Sequence, residues 1–246
     1  MKNKLFTIKK KRSGRDSQGH VSVRHRGGEQ KRFLRLVDWK RNKLDVKARV
    51  TVIEYDPNRT ANIALLTYED GSKSYILATS NLKVDDVVVY SENAPIKDGN
   101  KLPLKNIPVG TALHCLEFQA GRGAQIIKSA GSAAYIQSID GDKVTIKLPS
   151  GELRLFPGTA CATIGQVGNA DHSNQKLVKA GDSRHRGIRP TVRGVAQNPH
   201  SHPHGGGEGR SSIGMNPKTP WGKPAMGKKT RKRKKASNKL IIKHRK

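Results

Sequence analysis

Apolar and polar residues alternate along the middle of the chain. Val46, Ala48, Val50 and Val52 occupy every second position and run into Asp56-Pro57-Asn58-Arg59, a turn sequence. Ala61, Ile63 and Leu65 resume the alternation, which stops at the hairpin chemistry of Glu69-Asp70-Gly71-Ser72. Residues 74–79 and 84–90 supply two further strands before Lys97-Asp98-Gly99-Asn100 turns the chain again. The run from Leu102-Pro103 to Ile107-Pro108-Val109-Gly110 interrupts the pattern and predicts a domain boundary. A second series follows at 112–118, 133–139, 143–148 and 153–156, joined by Asp140-Gly141 and Ser150-Gly151 and closed by residues 160–165. A period of two buries one face of each strand. Short strands at this spacing, with no helical period among them, predict an all-β chain of two small barrels in tandem.

Outside that body the pattern disappears and the charge changes. Residues 1–45 carry 15 Lys and Arg against 4 carboxylates, residues 46–180 carry 15 against 13, and residues 181–246 carry 18 against 2. The predicted organisation is therefore a basic N-terminal arm (1–32), a first barrel (33–107), a second barrel (108–180) and a basic C-terminal extension (181–246). Phe33, Leu34, Leu36, Val37 and Trp39 are the apolar anchors where the first arm joins the body.

A formal charge of +29 calls for a polyanionic partner. With no apolar run of spanning length and no basic amphipathic helix, that partner is expected to be nucleic acid and not a membrane. Cys115 and Cys161 stand far apart without a CxxC companion, which argues against a disulfide framework or a zinc knuckle and suits two small apolar residues in strands. The opening residues Met-Lys-Asn-Lys-Leu-Phe-Thr-Ile hold no secretory h-region and no Arg/Ser-rich import helix, so the protein is expected to work where it is made.

The densest chemistry lies in residues 184–210, with five arginines, four histidines and one carboxylate, Glu208. Such a segment has too little apolar surface to fold by itself. On an extended backbone His200, His202 and His204 would share one face, an arrangement competent for metal. Crowding by cations and the lack of a Cys or Asp ligand argue against a metal. Ser201 beside His202 would point to the opposite face, which argues against a nucleophile–base pair. Gly121-Arg122-Gly123-Ala124 lacks the GxxxxGK[ST] pattern and a following helix, so it is better suited to a backbone-phosphate contact than to a nucleotide pocket.

RNA contact uses all of these residues. Gly205, Gly206 and Gly207 let backbone lie against folded RNA, and Arg186, Arg189, Arg193 and Arg210 donate to phosphates and base edges. Pro190, Pro199 and Pro203 limit the entropy lost on docking, and the histidines can stack on bases or reach 2′-hydroxyls. A polybasic run at 228–235 adds electrostatic attraction of low specificity. The alternatives are a free-standing RNA chaperone and a His-dependent metalloenzyme.

Arg189-Pro190-Thr191-Val192-Arg193-Gly194, Asn198-Pro199 and His202-Pro203-His204-Gly205-Gly206-Gly207-Glu208-Gly209-Arg210 resemble the signature of the universal large-subunit ribosomal protein L2 family. Further stretches fit in family order. They are Arg24-His25-Arg26-Gly27-Gly28, the run from Glu54 to Ala64, Asn106-Ile107-Pro108-Val109-Gly110, Ser129-Ala130-Gly131, the run from Gly165 to Ala170, and Thr219-Pro220-Trp221-Gly222. The resemblance implies an OB-fold barrel followed by an SH3-like barrel, with extended basic arms. It also implies a structural role, not an enzymatic one: binding large-subunit rRNA among neighbouring ribosomal proteins, supporting association with the small subunit, and reaching toward the peptidyl transferase centre. No cofactor is implied beyond structural Mg2+ belonging to the rRNA.

Expected RNA contacts in the first arm and the barrels are Arg24, His25, Arg26, Arg59, Arg122 and Lys128. Those in the extension are Arg184, Arg186, Arg189, Arg193, Asn198, His202, His204, Gly205, Gly206, Gly207, Arg210, Trp221, Lys229 and Arg231. His202 falls on the histidine of the family's Asp-His-Pro-His motif, where the resemblance gives it at most a supporting role. The chain departs from the bacterial pattern there: His200-Ser201 stands in place of Val-Asp and Gln197 in place of Met, while His185 replaces an aromatic residue. A first arm shorter than in bacterial and plastid members is similar to the type encoded in mitochondrial genomes. A mitochondrial ribosome is the expected location, with plastid and bacterial cytoplasm as alternatives.

Overall fold

The computed structural model describes residues 5–8, 10–11 and 13–245. The chain divides into two compact units. The first comprises Met1–Lys9, Lys31–Lys176 and Ala236–Lys246; the second comprises Lys10–Gln30 and Leu177–Lys235.

The first unit holds the strands. A two-stranded ribbon pairs β1 (Phe6–Ile8) with β2 (Phe33–Arg35). A four-stranded antiparallel sheet follows in the order β5-β4-β3-β6, from β3 (Ala48–Glu54), β4 (Ile63–Tyr68), β5 (Lys73–Leu77) and β6 (Val87–Val88). β7 (Lys101–Pro103) opens the second sheet, with β8 (Ala112–His114), β9 (Ala134–Asp140), β10 (Lys143–Lys147), β11 (Leu153–Pro157), β12 (Cys161–Ile164) and β13 (Ile241–Lys243). Its order is β13-β11-β10-β9-β8-β12-β7. The protein is all-β: the two sheets curl into an OB-fold barrel and an SH3-like barrel.

Three details depart from simple alternation. Thr51 bulges between Val50 and Val52, so Val50 is buried, Val52 is exposed and Ile53 turns toward the first core. A bulge adds one residue to one strand and increases local twist, which is how a flat alternating strand is made to curl. β8 stops at His114 instead of continuing to residue 118, because Cys115 adopts φ +49° and breaks the extended backbone. Cys115 thus follows a strand, whereas Cys161 lies within β12. Leu102-Pro103, where the pattern predicts a break, forms β7 against β12. One strand also lies beyond the end of the alternation: β13, after the polybasic run, pairs with β11.

Each barrel has its own core. Val50, Leu66, Ile76 and Val88 fill the first, and Leu104, Leu113, Ile136, Ile146 and Phe156 fill the second. A third cluster joins the barrels through Ile63, Tyr75, Leu77 and Val167, with Val37, Trp39, Cys115 and Ala130 packed around it. Polar groups reinforce that seam. Thr60 Oγ1 accepts the Ala130 N–H at 3.0 Å, the Thr60 carbonyl accepts Asn169 Nδ2 at 2.6 Å, and Gly168 N–H donates to the Ala78 carbonyl at 2.9 Å. Inside it, Lys101 Nζ lies 3.0 Å from Glu117 Oε1, with side chains only 6% and 1% exposed.

The second unit is almost free of strands. Its one α-helix among the described residues, α1 (Ala180–His185), is short and ends where Gly187 takes φ +84°. A short 3-10 helix (Gly194–Ala196), turns and backbone hydrogen bonds make up the remainder.

Candidate nucleic-acid interface

On the barrel unit, three segments meet at Trp39. The turn after β3 places Arg59 so that its guanidinium carbon lies 5.2 Å from the indole centroid. Arg59 Nε donates to Asp56 Oδ2 at 2.7 Å, and the Asp56 side chain is wholly buried. Burial pushes the Asp56 carboxyl up, but hydrogen bonds from Arg59 and Asn58 outweigh it and hold the group below the ordinary carboxylate range. From the second barrel, Lys128 Nζ lies 4.5 Å from the same centroid.

Residues 119–124 form the third side. Ala124 N–H donates to the Trp39 carbonyl at 2.8 Å, and Gly121 N–H donates to Glu117 Oε2 at 3.1 Å. Gly123 has φ +80°, and a Cβ there would lie 3.0 Å from the Trp39 carbonyl oxygen, so this approach requires glycine. Arg122 stands exposed at the loop tip.

On the second unit, arms separated by about 160 positions in sequence pair with each other. Gly27 N–H donates to the Gly187 carbonyl at 2.9 Å, Gln30 N–H to the His185 carbonyl at 3.0 Å, and Arg189 N–H to the His25 carbonyl at 3.1 Å. Arg26 and Ile188 form a bridge between them. The side chains of Arg24, His25, Arg26, Arg186 and Arg189 are exposed along this ladder, and Arg184 Nη1 turns back to the Ile188 carbonyl at 3.3 Å. The Arg24 guanidinium lies 5.4 Å from the centroid of Trp221, whose side chain is 75% exposed. An exposed indole capped by a cation is a surface on which a base can stack.

The histidine segment is folded, not extended. Ser201 and His202 N–H groups both donate to the Asn198 carbonyl, at 2.9 and 3.2 Å, which turns the chain at Pro199-His200. His202 is consequently 8% exposed, while His200 points outward. The shared face expected of His200, His202 and His204 does not form, because the turn replaces the period of two. His202 Nδ1 accepts the His204 N–H at 3.1 Å, and His204 Nε2 accepts the Lys218 N–H at 2.8 Å. Each imidazole therefore carries its ring proton on the other nitrogen.

Glycine makes this packing feasible. A Cβ on Gly194 would lie 2.6 Å from the His202 ring, and one on Gly205 would fall on the carbonyls of Gln197 and Asn198. Gly205 and Gly206 N–H groups close the loop on the carbonyls of His202 and Gln197. Arg193, Asn198, Gly207 and Arg210 are exposed beside it, and Lys229 and Arg231 are exposed on the polybasic run.

Sequence reasoning reached the cations but missed what fixes them. Trp39 reads as an apolar anchor, and Asp56 and Glu117 read as a turn residue and a strand residue. The one available signal was an aromatic residue flanked by Asp38 and Lys40, which does not reveal what lies above its ring. Among the described residues no group of three or more His, Cys, Asp or Glu side chains could hold a metal ion.

The second unit carries 21 Lys and Arg against 4 carboxylates over its 80 residues. An OB-fold and an SH3-like barrel bearing basic loops, together with a glycine-rich unit of that charge, define a structural RNA-binding protein. Residues 2–90 match the model described as "Ribosomal Proteins L2, RNA binding N-terminal domain", and residues 97–222 match "Ribosomal Proteins L2, C-terminal domain". The chain belongs to the ribosomal protein L2 family. It is a structural, RNA-binding constituent of the large ribosomal subunit and not an enzyme.

Proposed function

We propose that the chain binds large-subunit rRNA through two surfaces: Arg59, Arg122 and Lys128 on the barrels, and the paired arms of the second unit. The observation that carries this reading is the pairing of residues 25–30 with 185–189, which sets Arg24, Arg26, Arg186 and Arg189 on one ladder. Cations held on one ordered backbone meet successive phosphates with less entropy lost than cations on two separate tails. Trp221 supplies a stacking surface for a base. In terms of the sequence, residues 1–32 and 181–246 serve as RNA-seeking arms, and residues 33–107 and 108–180 as the barrels that dock on the rRNA fold.

Within the arms, His202 shapes the loop that presents Asn198, His204, Gly207 and Arg210. Its Nδ1 is occupied by the His204 N–H and its ring rests on Gly194, so it holds the loop in place while RNA performs the chemistry. Similarity to the family signature supports a position near the peptidyl transferase centre and a contribution to subunit association. A mitochondrial ribosome is its proposed home, with plastid and bacterial cytoplasm as the alternatives.

Gradient sedimentation of the tagged full chain tests both the assembly and the compartment. The expected result is co-migration with mitochondrial large subunits after a high-salt wash. Recovery in light fractions alone would sink the ribosomal assignment, and recovery with plastid or cytosolic subunits would overturn the compartment.

A further inference from the structure

Two cations on one indole is an arrangement that electrostatics does not favour unless something between or beside them is negative. Arg59 and Lys128 approach the Trp39 ring from different barrels, at 5.2 and 4.5 Å from its centroid. Asp56 accounts for one positive charge, because its buried carboxylate takes the Arg59 Nε–H. Among the described residues, that bond leaves both Nη groups of Arg59 and the Lys128 ammonium for an outside acceptor.

The backbone around the ring is also held in place. Ile127, immediately before Lys128, has φ +58°. A β-branched residue in the left-handed region is strained, and the strain persists only because neighbouring contacts fix it. Here the Ile127 carbonyl accepts the Cys115 N–H at 3.0 Å, and the Ala130 N–H is held by Thr60 Oγ1 at 3.0 Å. The Trp39 carbonyl is fixed in turn by the Ala124 N–H. The kink at Ile127 is what returns Lys128 over the indole.

We infer that Trp39 is a positioning residue for RNA: its ring holds Arg59 and Lys128 at the seam of the two barrels as a preformed clamp for the phosphodiester backbone. The inference rests on the proposed RNA role of those two cations and adds the group that sets their geometry. The quadrupole of the indole attracts both cations to its surface, which offsets part of their mutual repulsion before RNA arrives. A phosphate seated against both completes the neutralisation. Lone flexible side chains would have to be ordered on binding at an entropic cost that this ring has already removed.

The test uses the full chain with Trp221→Phe, so that Trp39 is the sole indole, and rRNA extracted from large subunits as the probe. Affinity is measured across a range of KCl concentrations. Arg59→Ala and Lys128→Ala should each lower the slope of log K against log salt by about 1. Trp39→Met, which keeps apolar bulk but has no ring, should weaken binding roughly tenfold and lower the slope as well. In the Arg59→Ala/Lys128→Ala background the same substitution should cost nothing further, whereas a merely structural tryptophan would add its loss. Trp39→Phe should restore most of the affinity.

Should Trp39→Met fail to fold, fluorinated tryptophan at position 39 gives the same answer. Added fluorine drains the ring's negative face with little change of shape, so affinity should fall with each fluorine while the melting temperature holds. Affinity indifferent to fluorination, or losses that simply add in the double background, would overturn the clamp. Failure of the parent to bind rRNA, or Arg59→Ala and Lys128→Ala variants with the parent's affinity and salt slope, would instead overturn the RNA role on which it rests.

Discussion

His114 offers a test of how the seam between the barrels is built. Its side chain is buried, Nδ1–H donates to the Gly165 carbonyl at 2.9 Å, and Arg41 and Lys101 line the same small cavity. Burial, with a contribution from the Arg41 charge, pushes the imidazole down from 6.5 to about 4, against the Gly165 hydrogen bond that favours the charged form. The folded protein therefore keeps His114 neutral where the unfolded chain binds a proton. Stability is fully present above about pH 6.5 and is lost as pH falls toward about 4, because the unfolded state takes up more protons throughout that window. At about 1.4 kcal/mol for each tenfold change in proton activity, the loss from this one group between pH 7 and pH 4.5 is about 2.5 kcal/mol. Urea unfolding at the two pH values measures it. His114→Gln keeps a donor for the Gly165 carbonyl but has no titrating ring, so the variant should lose about 2.5 kcal/mol less than the parent over the same interval. Equal acid sensitivity of parent and variant would refute the reasoning, since carboxylates elsewhere are common to both.

Three further outcomes are expected. Lys101→Met leaves the Glu117 carboxylate buried without its cation and should destabilise the chain by about 3–5 kcal/mol in urea unfolding, with most of the loss recovered by adding Glu117→Leu; a cost below about 1 kcal/mol would mean that the pair is solvated. Gly194→Ala places a methyl group where the His202 ring sits, so histidine ring signals in NMR spectra should show His202 expelled and the amides of residues 194–206 exchanging faster with solvent; unchanged spectra would refute the packed ring. Replacing the seven cations at 228–235 by serine should lower the salt slope of rRNA binding by up to about 6, and an unchanged slope would place the run off the RNA.

The barrels were legible in the sequence because burial of one strand face imposes a period of two that any alternating stretch displays. The turns at Asp70-Gly71, Asp140-Gly141 and Ser150-Gly151 were legible for the same local reason. Short-range chemistry did not reveal the Thr51 bulge, since a register shift in β3 is set by the strand it pairs with and leaves no mark on its own residues. β7 was hidden by Pro103, which the β12 ladder tolerates at the edge of its sheet. β13 was hidden because three residues after a polybasic run carry no period at all.

Periodicity and charge along the chain establish the kind of molecule: a nearly neutral alternating body, cationic glycine-rich ends, and therefore a nucleic-acid partner. Charge and periodicity are sums over neighbours in the chain and need no coordinates. Which cations act together depends on contacts between distant segments. Arg59 and Lys128 stand 69 positions apart and share one indole, the two arms lie at opposite ends of the chain and share one ladder, and His202 turns inward while His200 does not. Each of these follows from long-range pairing and from the space left by glycine, quantities that exist only once distant segments have closed on each other.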